Sequence, residues 1–248
     1  MLSLWGSLAM GAPIHIIIDP GHGGNDSGAV RGKVRESDIA LKVAEQLKDL
    51  LALDPGFQVS LTRTSDQTLS LGDRVKIADE HSADLFISIH ANASVDRRAR
   101  GLEIYFQNHL PPDEETLFLA ANENRVSKND EQAAVEMEPT KRNDVSAIIE
   151  DLKRQNRMKA SHKLSRKLLE AWNENSKVET NAIRQAPFYV VSKTHMPSVL
   201  VELGFITNPK EAEKLIDPAF QKEVASRIHQ GLKRYKEIVD KVATAPLQ

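Results

Sequence analysis

Ile14-His15-Ile16-Ile17-Ile18-Asp19-Pro20-Gly21-His22-Gly23-Gly24 begins as an apolar, β-branched run and ends in a glycine-rich loop that carries a histidine. A short apolar run closed by glycine and proline reads as a buried strand that delivers its next residues to one edge of a sheet. The pattern returns twice. Leu85-Phe86-Ile87-Ser88-Ile89-His90-Ala91-Asn92 ends beside a second histidine, and Ser198-Val199-Leu200-Val201-Glu202-Leu203-Gly204-Phe205 carries an acid at the matching place. Phe57–Leu61, Leu102–Phe106 and Phe188–Val191 read as further strands, which makes six. Between them, Ile39, Val43, Leu47 and Leu50, and then Leu71, Val75 and Ala78, recur at steps of three or four, as helices do. The last helix is the plainest: Asp217 caps it, Pro218 opens it, and Phe220, Val224, Ile228, Leu232, Tyr235 and Val239 form its stripe. Strands alternating with helices predict a single α/β domain whose sheet is covered on both faces.

Ligands of open α/β sheets bind at the carboxyl ends of the strands. His22, His90 and Glu202 fall on that edge if their strands are parallel neighbours, and Glu36 opens the helix after the first strand. A lone histidine is more often packed or solvated than metal-bound, but Gly21, Gly23 and Gly24 leave the His22 ring accessible. Two imidazoles and a carboxylate make the His₂Glu set of a catalytic zinc site, so His22, Glu36 and His90 are expected to hold Zn2+. Such an ion lowers the pKa of water toward ~7. Hydrolysis also needs a group that moves a proton, and Glu202 is the choice for it. The alternative is that Glu202 caps the turn before Gly204.

Asp19, Asp26 and Asn92 could each fix a histidine tautomer. Asx residues in glycine-rich turns also bond their own backbone, the reading preferred for Asp26. Arg63 and Arg74 are expected to pair with Asp66 or Asp73, away from the site. His15, His81, His109, His162, His195 and His229 read as surface or packing residues, with a substrate contact as the alternative for His195.

The chain has 248 residues, 40% hydrophobic and 27% charged, which suits one domain with a substantial core. Its net charge of -2 offers no electrostatic case for nucleic acid or an anionic membrane surface. It contains no cysteine, so a zinc ion must use nitrogen and oxygen ligands. No stretch approaches the ~20 apolar residues that cross a bilayer. Residues 1–12 are apolar and uncharged and lack the basic start of a secretory leader, so they read as an expression remnant or linker stub, with a truncated leader as the alternative. Residues 13–240 read as the catalytic domain and 241–248 as a tail.

From Gln107 to Ala186 no run reads convincingly as a strand, and loops of that length are usually functional or disordered. Val145, Ile148, Ile149 and Leu152 form a helical stripe, and Leu164, Leu168 and Trp172 form another that returns to the core. Residues 107–157 therefore read as an inserted helical segment beside the active-site edge.

Taken together and in order, Asp19-Pro20-Gly21-His22-Gly23-Gly24, Glu36, Ser88-Ile89-His90-Ala91-Asn92 and Val201-Glu202-Leu203-Gly204-Phe205-Ile206-Thr207-Asn208 resemble the zinc-dependent N-acetylmuramoyl-L-alanine amidases of the cell-division type, from about Ile14 to about Ile238. The resemblance implies a twisted, mixed, mostly parallel sheet and a catalytic role for Glu202. It implies cleavage of peptidoglycan between N-acetylmuramic acid and L-alanine during septal wall splitting in the periplasm. It further implies that a helix of the insertion covers the zinc and supplies a glutamate until an activator, a degenerate LytM endopeptidase-like protein, displaces it. Ala120-Ala121-Asn122-Glu123-Asn124 matches the Glu-Asn pattern there, which makes Glu123 the candidate, with Glu136, Glu138 and Glu150 as rivals. The stripe at Val145, Ile148, Ile149 and Leu152 is where the activator would dock. Two other functions remain open at this point: a zinc peptidase or carboxypeptidase with the same ligands, and a non-catalytic wall-binding module.

Overall fold

The computed structural model describes residues 11–107, 112–125, 144–174 and 181–244. The expected positions Glu136, Glu138 and His109 and residues 1–10 lie outside them. Strand β1 (Ile14–Pro20) is followed by a two-stranded hairpin, β2 (Val30–Arg31) and β3 (Val34–Arg35), and by helix α1 (Glu36–Ala52). Then come β4 (Phe57–Leu61), α2 (Leu71–Glu80), β5 (Leu85–Asn92) and β6 (Glu103–Phe106). Helices α3 (Glu114–Glu123) and α4 (Asp144–Asn173) precede β7 (Ala182–Gln185), α5 (Tyr189–Lys193), β8 (Ser198–Phe205), α6 (Pro209–Leu215) and α7 (Pro218–Ala243).

Six strands form one sheet in the order β4-β1-β5-β8-β6-β7. The first four are mutually parallel, β6 runs antiparallel to β8, and β7 runs parallel to β6. The sheet is therefore mixed and mostly parallel, with helices on both faces. On one face α1, α4 and α7 enclose the larger core, where Leu47, Leu168, Val224, Ile228 and Leu232 pack on Ile16, Ile18, Ile87 and Val199. Each fully buried aliphatic side chain there stabilises the fold by roughly 1.5–3 kcal/mol. On the other face Ala78 of α2, Ala120 of α3 and Val190 and Val191 of α5 cover Ile17, Phe86, Tyr105 and Leu200.

Three expectations change. Phe188–Val191 is not a strand: Phe188 is the N-cap of the short helix α5, which buries Val190 and Val191. Pro187 precedes it, and burial against the smaller core outweighs the strand preference of this run. The sixth strand is Ala182–Gln185, which lies inside the stretch from Gln107 to Ala186 that reads as strandless. The two stripes of that stretch belong to one 30-residue helix, α4, which passes position 157 without a break. In α7 the expected cap holds, with Asp217 accepting from Ala219 N, but Val239 at the end of the stripe is exposed.

Candidate metal centre

Side chains alternate across a sheet with period two. His90 and Glu202, Ser88, Asp19 and Glu103 share the parity of Phe86, Leu200, Ile17 and Tyr105, so all point to the face of the smaller core. In register, His90 lies opposite Glu202 and Glu202 opposite Glu103, which sets three ionisable residues in a row across β5, β8 and β6. The loop after β1 brings His22 to the His90 end of this row, and the first residue of α1 brings Glu36 there too.

The four groups of His22, Glu36, His90 and Glu123 then converge, with one ligand atom from each lying within 4.8 Å of the others. His22 Nε2 lies 3.1 Å from Glu36 Oε1 and 3.2 Å from Glu123 Oε2. His90 Nδ1 lies 2.9 Å from Glu36 Oε1 and 3.3 Å from Glu123 Oε2. A tetrahedron with bonds of ~2.0–2.1 Å has edges of about 3.3 Å, so this spacing suits four ligands of one small cation. His22 Nε2 and Glu123 Oε2 are buried yet make no hydrogen bond. Such close approach without hydrogen-bond geometry means that these atoms are aimed at a common point rather than at each other. The cluster can hold a metal ion, and its nitrogen and oxygen donors suit a borderline cation.

Close packing keeps these groups together. A Cβ on Gly21 would fall 2.4 Å from the His90 ring, and one on Gly28 2.5 Å from Glu36 Oε2, so neither position has room for a side chain. Glu36 also accepts from Ala29 N through Oε2 and from Ala91 N through Oε1. Burial disfavours the charged imidazoles, but the acids around them outweigh it: Glu36, Asp26 and Glu123 hold His22 well above its ordinary pKa, and the carboxylates of Glu123 and Glu36 beside the His90 ring raise it to about 10. Glu36 and Glu123 are correspondingly lowered against the same burial.

Glu202 is 1% exposed, and its Oε2 has no hydrogen-bond partner among the described residues. It does not cap the turn before Gly204. Burial pushes its pKa well above the carboxylate range, His90 pulls it down, and Glu36, Glu123 and Glu103 push it further up. A buried acid that favours its neutral form beside a cluster of candidate metal ligands is suited to carrying a proton.

The supporting residues differ from expectation. Asp26 does face a histidine: its Oδ2 lies 2.7 Å from His22 Nδ1 while Oδ1 takes the turn bond from Gly28 N, so both readings of this residue hold at once. Asp19 touches neither histidine; it accepts from Thr62, Ser88 and Arg74. Asn92 donates to Glu103 Oε2, which also accepts from Tyr105 OH, and Arg184 lies 2.7 Å from Glu103 Oε1. Neither Arg63 nor Arg74 pairs with Asp66 or Asp73. Arg74 pairs with Asp19 and donates to Pro20 O and His22 O, and Arg63 donates to the carbonyls of Pro20, Gly21, Ser37 and Ser65. Arg63 follows β4 by two positions, on the edge that carries the site, and that placement was its only signal. His195 pairs with Asp79, and Glu150 sits on the surface of α4 beside Lys153.

Glu123 arrives on the last turn of α3, and the next residue fastens that turn. Asn124 Nδ2 donates to Pro187 O and its Oδ1 accepts from Tyr189 N, capping α5 in place of Phe188, which has no side-chain cap. At the other end Arg184 reaches Asp113 and Glu115 at 3.6 and 3.8 Å. Only Thr116 and Ala120 of α3 are buried, while Leu117 and Phe118 are exposed. Helix α3 thus roofs a cleft of about 580 Å3 over the metal cluster on few contacts.

A family profile described as N-acetylmuramoyl-L-alanine amidase (Amidase_3) matches residues 16–234. The chain belongs to this amidase family. It is 33% identical over 222 residues to N-acetylmuramoyl-L-alanine amidase AmiA of Escherichia coli K12, covering 89% of this chain and 75% of that protein. It is 34% identical over 231 residues to AmiC of Escherichia coli O6:H1, covering 90% of this chain and 53% of AmiC, so it spans about half of that relative. Among solved structures, the catalytic domain of the amidase CwlV from Bacillus (Paenibacillus) polymyxa var. colistinus superposes with a TM-score of 0.63 at 29% identity, over 90% of this chain and 98% of that one.

Proposed function

We propose that the chain hydrolyses the amide between N-acetylmuramic acid and L-alanine of peptidoglycan with a zinc ion held by His22, Glu36 and His90. As a member of the amidase family it is a hydrolase of cell-wall amide bonds; the identity of the ion and the residue roles are the proposal. The observation that carries it is one buried cluster of four converging donors with an unpartnered acid, Glu202, in the register position beside His90. His22, Glu36 and His90 would hold the ion, which would supply Lewis acidity toward the scissile carbonyl and lower the pKa of water toward neutrality. The chain supplies the rest. Asp26 orients the His22 ring through Nδ1. Glu202 takes the proton of the attacking water and returns it to the departing amine of L-alanine, which would otherwise leave as an anion.

In this reading Glu123 occupies the position that water and substrate need and holds the enzyme closed, which its convergence with His22, Glu36 and His90 supports. A closed form favoured by ~3 kcal/mol leaves under 1% of molecules open, and a partner that prefers the open form reverses the balance. Val145, Ile148, Ile149 and Leu152 on α4 are 67, 58, 46 and 54% exposed, an apolar stripe suited to an activator's groove. In this reading the protein works in the periplasm at the septum and the activator is a degenerate LytM endopeptidase-like protein. No helix among the described residues is long and apolar enough to cross a membrane.

The test is digestion of purified sacculi by the zinc-loaded wild-type chain and by Glu123→Ala. Free stem peptides, released faster by Glu123→Ala, are expected. Shortened peptides would make the chain a peptidase instead, and equal rates would remove the closed-state reading.

A further inference from the structure

A loop reading Pro20-Gly21-His22-Gly23-Gly24 is a poor platform for a metal ligand, because glycine loses more conformational freedom on folding than any other residue. His22 itself sits at φ 56, a left-handed conformation that few non-glycine residues adopt. Something must hold this loop while the site forms. Two buried arginines donate to the carbonyls of this loop: Arg63 and Arg74 both to Pro20 O, Arg63 to Gly21 O, and Arg74 to His22 O. Arg74 has a carboxylate partner, Asp19. Arg63 differs: it is 1% exposed, and among the described residues all four of its hydrogen bonds go to main-chain carbonyls.

One nitrogen of that guanidinium makes the link. Arg63 Nη2 donates to Gly21 O at 2.8 Å and to Ser37 O at 2.9 Å. Gly21 immediately precedes His22, and Ser37 immediately follows Glu36. Nε meanwhile holds Pro20 O at 2.9 Å and Nη1 holds Ser65 O at 3.0 Å. A single rigid group thus sets the separation of two segments that each carry a donor of the metal cluster.

We propose that Arg63 is a positioning residue of the metal centre, which fixes the His22 loop and the start of α1 at ligand spacing before any ion binds. The proposal rests on the reading of His22 and Glu36 as metal ligands. Its consequence is chemical as well as geometric. Lysine keeps the charge, but its three donors radiate from one point and cannot serve four carbonyls in the fixed fork that arginine presents.

The experiment compares the full chain with Arg63→Lys by zinc competition against a chelator and by the visible spectrum of the cobalt-substituted protein. Leu232→Val, in the larger core on α7, serves as a variant weakened away from the site. Arg63→Lys is expected to bind zinc about 10–100-fold more weakly, the usual scale for groups that orient metal ligands, with an altered cobalt spectrum. Leu232→Val should keep wild-type affinity and spectrum. A folded Arg63→Lys with wild-type affinity and spectrum overturns the proposal, as does an equal loss of affinity in Leu232→Val. A wild type that binds no metal refutes the metal reading itself. Hydrogen exchange of the metal-free wild type needs no variant: Gly21 N and Gly23 N, bonded to Ile89 O and Asp26 O, should be protected. Free exchange at both would show that the loop is not held in advance, and the proposal would fall.

Discussion

Replacing Glu202 by glutamine separates a proton carrier from a structural acid, because the two roles move activity and stability in opposite directions. The side chain is 1% exposed, Oε2 has no partner, and ionisable residues flank it on both neighbouring strands. Glutamine preserves its shape and removes its proton chemistry. A positioned acid–base group contributes typically ~10²–10⁴ in rate, or about 2.7–5.4 kcal/mol of barrier at 1.36 kcal/mol per tenfold. The comparison belongs in the Glu123→Ala background, where the closed state no longer masks the rate, with stem-peptide release from sacculi measured at equal zinc content. A loss of at least ~10² is expected. Stability should go the other way. With its folded pKa raised by burial, Glu202 contributes stability that is complete below its unfolded pKa of ~4.3 and is lost as pH rises through the folded value. Glutamine has no such loss, so the melting temperature of the Gln variant, relative to its parent, should climb between pH 5 and pH 8. Unchanged turnover at equal metal content, or a parent that gains on the variant as pH rises, would refute the reasoning.

Three further outcomes follow from the same geometry. His22→Ala or His90→Ala should lose most of the approximately one zinc per chain expected by elemental analysis, and full retention in both would remove the ligand assignment. Asn124→Ala removes both hydrogen bonds that tie the end of α3 to Pro187 and Tyr189. At a net ~0.5–1 kcal/mol per bond, the open fraction should rise roughly 5–30-fold, read as basal release of stem peptides, and an unchanged rate would show that these bonds do not hold the roof. The metal-free protein should lose stability as pH rises. The His90 pKa is raised by its glutamate neighbours to about 10, so its protonated form stabilises the fold fully below its unfolded pKa of ~6.5, and that contribution fades as pH approaches 10. Zinc binds the neutral imidazole, so loading the site should flatten the decline; melting curves in chelator that hold steady from pH 6.5 to 10 would contradict this.

How much of this was legible in the chain depends on what each residue answers to. His22, His90 and Glu202 sit at the ends of apolar runs, where periodicity alone places a residue on the carboxyl edge of a parallel sheet; His22, His90 and Glu36 converge there, and Glu202 lies in register opposite His90. Glu123 was legible only as one acid of an Asn-Glu-Asn triplet. What fixes its place is the distant pairing of Asn124 with Pro187 and Tyr189, more than sixty residues on, and no local pattern encodes that. The same holds for β7. Ala182-Ile183-Arg184-Gln185 is half-buried at the sheet's edge and carries one strongly apolar residue, so its strand character comes from pairing with β6, while the more strand-like Tyr189-Val190-Val191 is turned helical by burial against the smaller core. Arg63 and Arg74 make the limit plainest. Both read as partners of nearby acids away from the site, yet both are buried, and the partners of Arg63 are carbonyls, which every residue possesses and no sequence can single out. Residues that act through side-chain identity at a strand end can be read one by one; those that act by holding the main chain of another segment become visible only when the two segments lie side by side.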